Sequence, residues 1–158
     1  MTDKPQLYRD LGRQLQSLIA GEPDRIANAA NMAALIYHGL PDLNWAGFYF
    51  TQSQELVLGP FQGQPACVRI PWGTGVCGTA AARGETVLVP DVHKFPGHIA
   101  CDPVSQSELV VPLIERGRVT GVLDLDSPRL ARFDEEDCAG CEALVAILLG
   151  VYSAGFSS

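Results

Sequence analysis

The stretch Glu108–Asp126, ELVVPLIERGRVTGVLDLD, decides how this chain is read. Two apolar, β-branched runs flank Arg116-Gly117, the pattern of an antiparallel hairpin. In the second run Asp124 and Asp126 are two apart, so both project from one face of a strand, about 7 Å from each other. Leu123 and Leu125 then face the opposite way. With a two-residue turn and regular pairing, Glu108 lies opposite Leu125 and points away from the aspartates. A three-residue turn, Arg116-Gly117-Arg118, or a bulge near Pro112 would bring Glu108 to their side, because one residue of slippage exchanges the faces. Pro112 invites the bulge, since it cannot donate to the ladder.

Four further β candidates precede this hairpin: Asn44–Phe50, Glu55–Pro60, Cys67–Pro71 and Thr86–Pro90. The first forty residues read helical. Asp24 offers a start signal, followed by Ile26, Ala29, Ala30, Ala33, Ala34, Ile36 and Tyr37, and Gly39 and Pro41 end the run. Gly75–Gly84 has room for only about two helical turns. A last helix opens at Phe133-Asp134-Glu135-Glu136-Asp137, with Asp134 as N-cap and acids in its first turn. Its apolar stripe is Cys141, Leu144, Val145, Leu148, Val151 and Tyr152. Helices at both ends of a run of strands predict an α+β fold, a six-stranded antiparallel sheet with the terminal helices packed on one face.

At 158 residues the chain suits one domain, residues 1–158, able to bury roughly 70% of its unfolded surface. Eighteen acidic against eleven basic residues, a net charge of −7, argue against a nucleic-acid partner and leave room for a site that receives a cationic or zwitterionic small molecule. The N-terminal stretch shows no signal-peptide pattern. The longest apolar run, Ala143–Val151, is well short of the ~20 residues of a membrane span. We therefore expect a cytoplasmic protein with no membrane partner. In a reducing compartment, five cysteines at irregular spacing point to free, catalytic or metal-bound thiols.

Three local patterns compete for these cysteines. Gly73-Thr74-Gly75-Val76-Cys77-Gly78 spells G-x-G-x-x-G, yet lacks the long crossover helix and the acid some 20 residues on that a dinucleotide site needs. A tight turn that sets Cys77 at a helix start accounts for it better. Cys138 and Cys141 form a C-x-x-C, but it follows a cluster of acids that would raise a thiol pKa, and Cys141 belongs to the buried stripe; both read as packing residues. His93, His98 and Cys101, with Cys67 or Cys77, lack the paired spacing of a zinc site. Trp45 and Tyr49 share a strand face across Gly47, which suits a pocket floor or an ordinary half-buried strand. Asp124 and Asp126 are likewise either a solvent face or part of a site. Aromatics, carboxylates and oxidisable thiols together make a redox pocket plausible.

From Leu43 to the final helix the chain resembles a known family. Asn44–Phe50, Leu56–Ala81, Val89–Leu113, Gly121–Pro128 and Arg132–Asp137 together are similar to the free methionine-(R)-sulfoxide reductases, single-domain enzymes of GAF type. The resemblance implies a GAF-like fold with a mobile loop, Phe95–Glu108, over a ligand pocket. It implies that Cys101 is the nucleophile, Cys67 the principal resolving thiol and Cys77 an auxiliary one. It assigns the pocket to Trp45, Tyr49, Glu108, Asp124 and Asp126. Cys138 and Cys141 have no counterpart in the pattern. The implied reaction turns free methionine sulfoxide into methionine through a Cys101 sulfenic acid, with Glu108 or Asp126 donating a proton. Cys67 then forms a disulfide with Cys101 that thioredoxin reduces. No cofactor or metal is called for, and a homodimer is compatible because GAF domains often pair through their helices. For Glu108 to join the aspartates, the hairpin must carry one of the two irregularities above. The rivals are a GAF sensor that binds a ligand without turning it over, and a thiol peroxidase.

Overall fold

A computed structural model describes residues 3–98 and 101–154; in the closing turn the side chains of residues 153 and 154 lie outside the description. Four α-helices and six strands alternate as α1 (Lys4–Ile19), α2 (Arg25–Gly39), β1 (Trp45–Gln52), β2 (Glu55–Gly63), β3 (Arg69–Pro71), α3 (Gly75–Arg83), β4 (Val87–Val89), β5 (Ser107–Glu115), β6 (Arg118–Ser127) and α4 (Glu135–Ala154). The strands form one antiparallel sheet in the order β3-β2-β1-β6-β5-β4.

The helix starts are where the side chains predict them. Asp24 accepts the Ala27 N–H at 2.9 Å, and Asp134 accepts those of Glu136 and Asp137. Asp137 returns the favour to the Asp134 N–H at 3.0 Å, a reciprocal cap that satisfies donors the helix start leaves open. Along α4 the stripe of Cys141, Leu144, Val145, Leu148 and Tyr152 is buried. In α2 the buried set is Asn28, Ala29, Met32, Ala33 and Ile36, whereas Ile26 and Ala30 are exposed. An alanine-rich helix offers little contrast between its faces, which is why the expected stripe is only partly right.

The sheet divides the interior in two. Ala46 and Phe48 of β1, Leu123 and Leu125 of β6, and Leu109, Val111 and Leu113 of β5 pack with α1, α2 and α4. Their sequence neighbours Trp45, Tyr49, Val122 and Val110 join α3 in a second cluster on the other side. The terminal helices thus share one face, as expected, and the short α3 covers the opposite one. That second face carries the site.

The β5–β6 hairpin resolves the register question. The turn has two residues, Arg116 and Gly117, both at positive φ (53° and 77°), the form that matches strand twist. Glu115 pairs with Arg118 and Ile114 with Val119, but Leu113 pairs with Gly121. Thr120 is the extra residue of a bulge one step from Pro112. Beyond it the pairing is Val110 with Asp124 and Glu108 with Asp126, so all three carboxylates share a face.

Candidate active site

Three neighbouring strands lay out the pocket floor. Trp45 pairs with Asp126 and Gly47 with Asp124, while Glu108 stands on the other side of Asp126. The two aromatic rings stack at 5.9 Å with 25° between their planes, and Phe61 of β2 stacks behind Trp45 at 5.2 Å. Gly47 makes this possible. A Cβ there would come within 2.3 Å of the Phe61 Cβ and 2.8 Å of the indole edge of Trp45. The glycine gap in β1 is therefore the space the indole occupies. Trp45 Nε1 donates to the Gln64 carbonyl, and the Tyr49 hydroxyl donates to the carbonyl of Cys67 at 3.0 Å. One pocket ring thereby holds the backbone of the cysteine next to it.

Above this floor the chain brings three cysteines together. Cys67, in the segment before β3, and Cys101, in the loop before β5, form a disulfide with Cα atoms 5.5 Å apart. The loop therefore sits with Cys101 already joined to Cys67; Ile99 and Ala100 of the expected lid lie outside the described residues. Cys77 is free and buried. It is the third residue of α3, after a turn in which Gly73 and Gly75 take positive φ, so the G-x-G-x-x-G pattern is a turn and a helix start. A helix start normally lowers a thiol pKa. Here burial, then Asp124, Glu108 and Asp126, push the Cys77 thiol well up. At neutral pH it is a thiol, with Sγ 3.8 Å from Glu108 Oε2.

The carboxylates have the same problem in larger measure. Burial and the two aspartates hold Glu108 well above its ordinary range, and burial does the same for Asp126. Asp124 is raised too, mainly by burial. Glu108 pairs across the ladder with Asp126 and has a carboxylate oxygen within 4.8 Å of one on Asp124, so each carboxyl group favours the protonated form of its neighbours. Asp124 Oδ1 is buried with no hydrogen-bond partner. Around this cluster the cavity is lined also by Ala66, Ile70, Thr74, His98, Asp102 and Ser105, with no lysine or arginine among the described residues. Burial, then His93, lowers the pKa of His98 and favours the neutral ring. The site is an acidic pocket in which three carboxyl groups and a thiol meet two aromatic rings.

Asn44 is a residue the sequence pattern does not single out. Its Nδ2 donates to Asp102 Oδ2 and to Ser105 Oγ, both at 3.0 Å, and its own N–H donates to the Asp126 carbonyl. One side chain thus ties the Cys101 loop to the strand that carries an acid. Only its place before the β1 aromatics hints at this. Of the other candidates, His93 and His98 have ring centroids 6.3 Å apart, but Cys101 is bonded to Cys67 and unavailable to a metal with them. Cys138 and Cys141 are buried, in the helix-side core. Burial lifts them to about 11 and about 12.

The comparisons with known proteins agree with this geometry. A GAF domain model matches residues 21–150, which sets the class of the fold. The free methionine-R-sulfoxide reductase of Escherichia coli is 53% identical over 146 residues, 92% of this chain and 88% of that protein. The Saccharomyces cerevisiae protein of the same name is 44% identical over 154 residues, 92% and 86% of the two chains. The crystal structure of free methionine-R-sulfoxide reductase from Neisseria meningitidis with its substrate superposes with a TM-score of 0.93 at 49% identity, covering 98% of this chain and 93% of that one. This chain belongs to the GAF-domain family of free methionine-R-sulfoxide reductases, oxidoreductases that act on sulfur.

Proposed function

We propose that this protein reduces free methionine-(R)-sulfoxide to methionine in the pocket beneath the Cys101 loop. The observation that carries the reading is the Cys67–Cys101 disulfide set over an aromatic floor and three buried carboxylates. The substrate's ammonium supplies the positive charge the lining lacks, and its methyl lies against Trp45. A peptide-bound nitrogen carries no such charge, so the free amino acid is preferred.

In the reduced enzyme the Cys101 thiolate attacks the sulfoxide sulfur. Glu108 or Asp126 protonates the oxygen, a task suited to a carboxyl kept protonated by burial and like charge. Methionine departs and Cys101 keeps the oxygen as a sulfenic acid. The Cys67 thiol condenses with it, releasing water and forming the disulfide. A dithiol, thioredoxin in our reading, then returns two electrons and restores both thiols. Cys77, protonated and buried beside Glu108, serves as the auxiliary thiol rather than the nucleophile.

Single turnover tests this. Reduced protein mixed with one equivalent of free methionine-(R)-sulfoxide should lose two titratable thiols and yield one methionine, whereas Cys67→Ser should release methionine once and stall with a trappable sulfenic acid unless Cys77 substitutes as the resolving thiol. Ligand binding with no loss of thiols would make the protein a sensor and sink the proposal. Comparable reduction of peptide-bound methionine sulfoxide would defeat the free-substrate claim. Faster consumption of hydrogen peroxide than of the sulfoxide would favour a peroxidase.

A further inference from the structure

Cys77, Glu108 and Asp124 come from α3, β5 and β6, and their donor atoms all lie within 4.8 Å of one another. The Cys77 Sγ–Glu108 Oε2 separation is 3.8 Å. A tetrahedral zinc with a sulfur at ~2.3 Å and an oxygen at ~2.1 Å requires about 3.6 Å between them. Asp124 is 5% exposed, and its Oδ1 has no hydrogen-bond partner. An unsatisfied buried carboxylate oxygen is costly, and either a proton or a cation can satisfy it. Among the described residues the pocket lining holds no lysine or arginine to supply that charge.

We propose that Cys77, Glu108 and Asp124 form a zinc site that shuts the pocket to the ammonium group of its substrate. The thiolate decides the metal class. A sulfur donor beside two carboxylates suits borderline-soft zinc, whereas calcium and magnesium take all-oxygen shells. In the disulfide form Cys67 and Cys101 cannot ligate, so Cys77 is the one thiol of this pocket left to do so. Binding releases the protons of the Cys77 thiol and of the carboxyl groups to solvent, with no change in oxidation state. Zinc and the substrate ammonium then compete for the same carboxylates. The blocking effect rests on the proposed function; the zinc site does not.

The experiment uses the oxidised full chain, free of added thiol, titrated with zinc ion alone against a chromophoric chelator. One zinc per chain and proton release in weak buffer are expected. Cys77→Ser and Glu108→Gln should each weaken binding by about tenfold or more, because each removes one of three ligands. A double Cys138→Ser, Cys141→Ser variant should bind as the parent does. Should Cys77→Ser not fold, Glu108→Gln carries the test alone. Absence of zinc uptake, undiminished binding by the folded site variants, or loss of binding in the helix double variant overturns the site. Adding free methionine sulfoxide to the zinc-loaded chain should weaken zinc binding. Stoichiometric zinc whose affinity the sulfoxide leaves unchanged removes the blocking claim and counts against the substrate reading, while the site stands.

Discussion

The two faces of the sheet are built from the same strands and do opposite things. One face, with Ala46, Phe48, Leu109, Leu123 and Leu125, is mainly apolar and buried under α1, α2 and α4. The other sets Trp45 and Tyr49 beside Glu108, Asp124 and Asp126. The cysteines divide the same way: Cys138 and Cys141 with the helices, and Cys67, Cys77 and Cys101 with the acids. Burial on the first face stabilises the fold. Burial on the second costs stability, because it forces carboxyl groups to keep protons they would shed in water. That cost keeps carboxyl groups protonated above their ordinary range, which is the state the proposed acid role requires.

Breaking the acidic face should abolish chemistry before it harms folding. The largest effect is expected for Cys101→Ser, which should leave no turnover of free methionine-(R)-sulfoxide in a methionine-release assay. Residual turnover would move the nucleophile elsewhere. Glu108→Gln comes next, with a loss of kcat on the order of 10²–10⁴ if Glu108 is the acid; an unaffected kcat would pass that role to Asp126. The same substitution sharpens the contrast through stability. Glu108, Asp124 and Asp126 have pKa values raised by folding, so the folded chain binds more protons than the unfolded one. Their contribution is fully present below the unfolded carboxyl range of about pH 4 and is lost as pH rises through the folded values. Thermal unfolding of Glu108→Gln should therefore show a Tm gain over the parent that is larger at pH 8 than at pH 5. A gain that shrinks with pH would contradict the assignment.

Breaking the apolar face should do the reverse. Phe48 is fully buried, and Phe48→Ala should cost about 3–5 kcal/mol in denaturant unfolding, with the KM of the remaining folded protein unchanged. The smallest effect is expected at Tyr8, whose hydroxyl donates to the buried Asp137 at 2.7 Å. Tyr8→Phe removes that bond and the weak one the hydroxyl accepts from Cys141 Sγ, while Lys4 and Arg132 still face the carboxylate, so a loss of about 1 kcal/mol should appear.

Much of this was legible in the residues. Alternation in Val122–Asp126 determined that both aspartates share a face opposite Leu123 and Leu125, because side chains on a strand alternate whatever they pack against. Asp24 and Asp134 declared their helix starts, because an N-cap bond is local. The α4 stripe was plain for the same reason. The long blocks from Leu43 to Asp137 carried the family.

Tertiary structure decided the rest. Whether Glu108 joins the aspartates turned on one extra residue, Thr120, in the β5–β6 ladder. A register shift depends on pairing between strands, and no local pattern encodes it. The protonated state of Cys77 is another case, since a helix start argued for a lower pKa, and burial first, then three carboxylates from two strands, reversed it. Asn44 acquires its place only when residues 58 and 61 positions further along fold back onto it. The sequence by itself determined which side chains leave each strand on which side. Only the folded chain determined which of them meet, because contact, burial and the field between charges are set by distances in space and not along the chain.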